Sequence, residues 1–94
     1  MSAPQSTPGT RLFVGGLKYN VTKEELEEFF KKIGQVHKVY LALDRDRPGG
    51  MNRGFAFVEM ATPSLASKAI SDLNGQPGPG GRRIGVKLAN ESVR

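Results

Sequence analysis

The eight residues RGFAFVEM at positions 53–60 constrain this chain more than any other segment. They alternate as a strand does, and successive side chains of a strand point to opposite faces. One face carries Ala56, Val58 and Met60; the other carries Arg53, Phe55, Phe57 and Glu59. The second set begins and ends with a charge, and burying an unpaired charge is costly. The small apolar set therefore faces a core, and two phenylalanines are left on the solvent side.

The rest of the chain supplies one core and no more. Its 94 residues make a single compact domain. Residues 11–17 (RLFVGGL) and 36–43 read as strands by their alternation. Residues 82–89 read as a last strand. Residues 21–34 form an amphipathic helix, with Thr22 and Glu25 at the spacing of a capping box and Val21 and Leu26 as a hydrophobic staple. Leu26, Phe29, Phe30 and Ile33 make its apolar stripe, and Gly34 is placed to end it. A second helix spans 63–74, capped by Thr62, begun by Pro63 and closed by Gly75, with Leu65, Ala66, Ala69, Ile70 and Leu73 inward. Residues 44–52 and 76–81 are loops by their Pro, Gly and charge.

The order is β-α-β-β-α-β. This predicts an α+β fold of the ferredoxin-like kind, a four-stranded antiparallel sheet with both helices on one face. The other face stays open. On it the alternation places Arg11, Phe13 and Gly15 of the first strand, Lys38 and Tyr40 of the second, and Arg83, Gly85 and Lys87 of the last. Leu12, Val14, Val39, Leu41, Ile84, Val86 and Leu88 are the matching inward set. Three phenylalanines and a tyrosine ringed by cations form a contiguous exposed patch, which in a soluble protein marks a binding site. Flat rings among cations suit single-stranded nucleic acid, because bases stack on rings and cations follow phosphates. A net charge of +5 agrees with a polyanionic partner.

RGFAFVEM at 53–60 resembles the RNP1 signature of the RNA recognition motif family, and LFVGGL at 12–17 resembles its RNP2 signature. The resemblance covers residues 11–89, with 1–10 expected to be a flexible N-terminal segment and 90–94 a tail or linker. It implies that Phe13 and Phe57 each stack on a base, that Phe55 packs against sugars, and that Arg53 pairs with a phosphate. Arg45 and Arg47 belong to a loop that often wraps RNA in such domains, although Asp44 and Asp46 could pair with them instead. Two positions depart from the pattern. Met60 stands where an aromatic is common, and Gly16 where Asn is common.

Other classes fare worse. The chain has no cysteine and one histidine, His37, so neither a metal site nor any other cofactor is expected, and a cytoplasmic or nuclear setting fits best. No run approaches a membrane span. No nucleophile–base pair suggests an enzyme, so no catalytic residue is assigned. Asn20-Val21-Thr22 matches a glycosylation sequon but reads better as the entry to a helix. Three alternatives stay open: single-stranded DNA as the ligand, the sheet face covered by another segment, and a protein partner bound by the sheet or by the first helix with its four glutamates. A monomer is the default expectation.

Overall fold

The computed structural model describes residues 9–44, 46 and 51–89. The order is β1 (Arg11–Gly15), α1 (Lys23–Lys31), β2 (Val36–Leu43), β3 (Asn52–Met60), α2 (Pro63–Leu73) and β4 (Gly85–Leu88). The four strands form one antiparallel sheet in the order β2-β3-β1-β4. The two strands that carry the phenylalanines are therefore the inner pair.

Local chemistry explains the helices. Thr22 Oγ1 accepts from the Glu25 amide at 3.1 Å while the Glu25 carboxylate accepts from the Thr22 amide at 3.0 Å. This reciprocal box satisfies two donors that the first helical turn otherwise leaves open. Thr62 caps α2 by the one-way bond alone, accepting from the Leu65 amide at 3.2 Å, with Pro63 starting the helix. Beyond α2, the Gly75 amide donates to the Ile84 carbonyl at 2.8 Å and turns the chain toward β4.

Both helices pack on one sheet face, α1 over β2 and α2 over β4 and β3. Leu26 and Phe30 of α1 and Ala66, Ala69 and Leu73 of α2 meet Leu12, Val14, Val39, Ala56, Val58, Met60, Ile84 and Val86 in a single buried cluster. The inward sets of β1 and β3 stand as expected. Met60 is buried, so its departure from an aromatic belongs to packing.

Several details differ from the sequence reading. The first strand stops at Gly15 rather than Leu17. The helix over 21–34 is shorter, ending at Lys31. Gly34 lies past that end, and its role is space: a Cβ there would stand 2.4 Å from Leu65 Cδ2 of α2. Leu41 is only half-buried, because the β2–β3 register shifts between Leu41 and Leu43 and brings Ala42 inward. Leu88 pairs with Leu12 and so shares its face, yet as the last residue of an edge strand it stays 47% exposed. The expected strand over 82–89 begins only at Gly85; before it, Arg83 makes an isolated bridge with Pro77. The segments 1–8 and 90–94 lie outside the described residues.

Candidate nucleic-acid interface

Antiparallel pairing brings directly opposed residues to the same face. Across the outer face this produces a row of four side chains, one from each strand: Tyr40 of β2, Phe57 of β3, Phe13 of β1 and Lys87 of β4. A second row sets Glu59 between Lys38 and Arg11. A third sets Phe55 beside Gly15 and Gly85.

The rings touch. Phe13 and Phe57 meet edge to face at 5.6 Å between centroids, Phe13 and Phe55 stack at 5.8 Å, and Phe55 meets Phe57 edge to face at 6.2 Å. Tyr40 extends the cluster at 6.4 Å from Phe57. Such spacings fall in the range preferred by aromatic pairs. The three phenylalanines are half-buried, packed along their edges by one another, and Tyr40 is 61% exposed. Lys87 Nζ sits 5.6 Å over the Phe13 ring, within reach of a cation–π attraction.

Two glycines make this surface possible. A Cβ at Gly15 would come within 3.1 Å of Phe13 Cε2, so glycine there lets the ring lie down along its own strand. Gly16 has φ +77, and a Cβ would stand 2.9 Å from the Arg83 carbonyl oxygen. The departure from Asn at this position therefore matches a backbone that leaves no room for a side chain.

The cations divide into three groups. Arg53, Lys38 and Lys87 are exposed, and Arg11 is half-buried beside Glu59. Arg83 is turned away from the rows, its guanidinium donating to the Gly75 carbonyl at 2.7 Å, where it ties the loop after α2 to the approach to β4. Arg45 and Arg47 lie outside the described residues.

Sequence reasoning missed two residues. Glu59 is on the expected face but is only 9% exposed, flanked by long side chains on both neighbouring strands, and its Oε2 accepts from Thr10 Oγ1 at 3.4 Å. Asn52, assigned to a loop, is buried at the start of β3. Its Nδ2 donates to the carbonyls of Lys18 and Val21, and its Oδ1 accepts from the Gly54 amide. It holds the β1–α1 connection against the start of β3. No sequence signal distinguishes it from the loop residues around it.

Among the described residues no cluster of three or more His, Asp or Glu could hold a metal. No helix there is long and apolar enough to cross a membrane.

The family model for the RNA recognition motif matches residues 12–84. The chain belongs to the RNA recognition motif family. As an RNA recognition motif domain it is 38% identical over 85 residues to RNA-binding protein 24 of Danio rerio, an alignment spanning 90% of this chain and 35% of that protein. It is 36% identical over 85 residues to RNA-binding protein 38 of Gallus gallus, spanning 90% and 38%. The chain thus spans little more than a third of the curated relatives it matches. Among solved structures, an Sxl-lethal protein/RNA complex superposes with a TM-score of 0.80 at 31% identity, covering 95% of this chain and 53% of that one.

Proposed function

We propose that this domain binds single-stranded RNA on the outer face of its sheet. Phe13 and Phe57 each take one base by stacking, Phe55 packs against the sugars between them, and Arg53, Lys38, Arg11 and Lys87 contact the phosphates. Arg45 and Arg47 add positive charge that attracts the phosphate backbone. The observation that carries this reading is the four-strand row Tyr40–Phe57–Phe13–Lys87, three rings in series ending in a cation. Stacking on an aromatic side chain contributes about 1–3 kcal/mol per base, so a few rings suffice to hold a short strand. The RNA-bound relative and the RNA-binding names of the curated relatives support the same reading.

The domain acts as a monomeric binding module, with its biological role in RNA processing such as splicing or mRNA metabolism, in the nucleus or cytoplasm. The test is direct. Phe13→Ala and Phe57→Ala should each weaken binding of a short single-stranded RNA, measured by fluorescence anisotropy, while amide spectra remain those of a folded domain. Normal binding by both folded variants would overturn the assignment of the face. A deoxyribose oligomer of the same sequence separates RNA from DNA, since only the 2′-hydroxyl distinguishes them.

A further inference from the structure

A carboxylate in the middle of a surface for a polyanion needs a reason. Glu59 is such a group. Paired with Arg11 on one side and Lys38 on the other, it lies on the aromatic face and is 9% exposed. That small exposed part opens into a cavity of about 420 Å³, walled by Arg11, Lys23, Lys38, Tyr40 and Phe57. Thr10 Oγ1 donates to its Oε2 at 3.4 Å, so the carboxylate has an anchor on the protein side.

We propose that Glu59 is a base-reading residue, selecting guanine in the pocket beside Phe57. The proposal rests on the reading of this face as an RNA surface and names what one position of it prefers. The chemistry follows from what a carboxylate can accept. It repels phosphate, and it repels base edges made of carbonyl oxygens. It accepts N–H groups. Guanine presents two adjacent donors on its Watson–Crick edge, N1–H and the N2 amino group, which match the two oxygens of a carboxylate. Uracil presents one N–H between two carbonyl oxygens, which the carboxylate disfavours. Adenine and cytosine each present one amino group beside an acceptor and rank between.

Geometry places the base. Glu59 follows Phe57 by two residues on the same strand face, a displacement of about 7 Å. A purine lying flat on the Phe57 ring therefore turns an edge toward the carboxylate. Lys38 and Arg11 on either side are placed to hold its phosphates and to offset the negative charge of the carboxylate.

The experiment uses the chain as it stands and four fluorescein-labelled RNA heptamers: seven uridines, and the same oligomer with its central base replaced by guanine, adenine or cytosine. Bidentate contacts to a base edge discriminate by about 1–3 kcal/mol. The guanine heptamer should accordingly bind roughly tenfold more tightly than the uridine one. Glu59→Gln should reduce that preference to less than about twofold, with uridine affinity kept or improved. Replacing guanine by inosine, which lacks only the N2 amino group, should remove part of the preference in the unaltered protein, where folding is not in question. Equal affinity for guanine and uridine, or a guanine preference that survives Glu59→Gln, overturns the proposal. If uridine binding is lost in Phe57→Ala while no guanine preference exists, the RNA surface stands and only the role of Glu59 fails. If Phe57→Ala leaves all four affinities unchanged, both fail.

Discussion

Phe57 is the residue on which most of the outer face converges: it contacts Phe13, Phe55 and Tyr40. Its outward placement was legible because Arg53 and Glu59 share its strand face, and both charges had to avoid an apolar core. Phe57→Ala should weaken RNA binding by about 1–3 kcal/mol, with little change in the denaturant midpoint. Equal affinity of variant and parent would contradict it. Asn52 is the opposite case, a residue that matters to stability and was invisible in the sequence. Its side chain makes three hydrogen bonds to backbone groups that pair nowhere obvious from the sequence, two of them across more than 30 positions of chain. Asn52→Ala should destabilise the domain by about 2–4 kcal/mol, since a net hydrogen bond is worth about 1 kcal/mol and the buried Val21 carbonyl and the Gly54 amide each lose a partner, while the Lys18 carbonyl keeps the Val21 amide. Urea denaturation reads this; a loss under 1 kcal/mol would mean that the loop repacks around the gap. Glu59 shows why a face assignment is not a burial assignment. Alternation gave its side correctly, but its cover comes from side chains on two other strands, whose register no single strand reveals.

At the level of elements, helix starts were the most readable features because capping is local chemistry within three or four residues. Thr22 and Thr62 both cap as their spacing implied. Thr22→Ala should cost about 1 kcal/mol in thermal or chemical unfolding and change RNA affinity by less than twofold, because of α1 only Lys23 at its start borders the outer-face cavity. A larger change would mean that α1 beyond Lys23 takes part in binding and favour the alternative of a helix-borne contact. Helix ends and edge strands were less readable. Gly34 looked like a stop signal and instead makes room for Leu65 on the other helix, a contact between residues 31 positions apart. The last strand was read three residues too early at its start. Arg82 and Arg83 alternate with Ile84 as a strand would, yet Arg83 is committed to the carbonyl of Gly75 and only a bridge to Pro77 forms.

Over the whole molecule, the sheet order puts the two phenylalanine-bearing strands in the centre and leaves β2 and β4 to supply Tyr40, Lys38 and Lys87 from the flanks. The order of strands along the chain was legible from periodicity; their order across the sheet was not, because it depends on pairings between strands that no single strand reveals. Charge is divided in the same sense. The four glutamates of α1 lie on the helix layer, while exposed Lys38 and Lys87 stand in the rows of the outer sheet face. RNA affinity should therefore fall linearly on a log–log plot against salt, and Lys87→Gln should flatten that slope by about 0.7, the share of one phosphate contact on a single strand. An unchanged slope would assign Lys87 to the Phe13 ring alone.

The most direct test of the central claim is an amide chemical-shift titration with a degenerate pool of short single-stranded RNAs. Binding on the outer sheet face should give shifts centred on Phe13, Tyr40, Arg53, Phe55, Phe57 and Lys87 that weaken as salt is raised. Shifts confined to α1 and α2, or none on the outer sheet face, would contradict it and make this sheet a surface for something other than RNA.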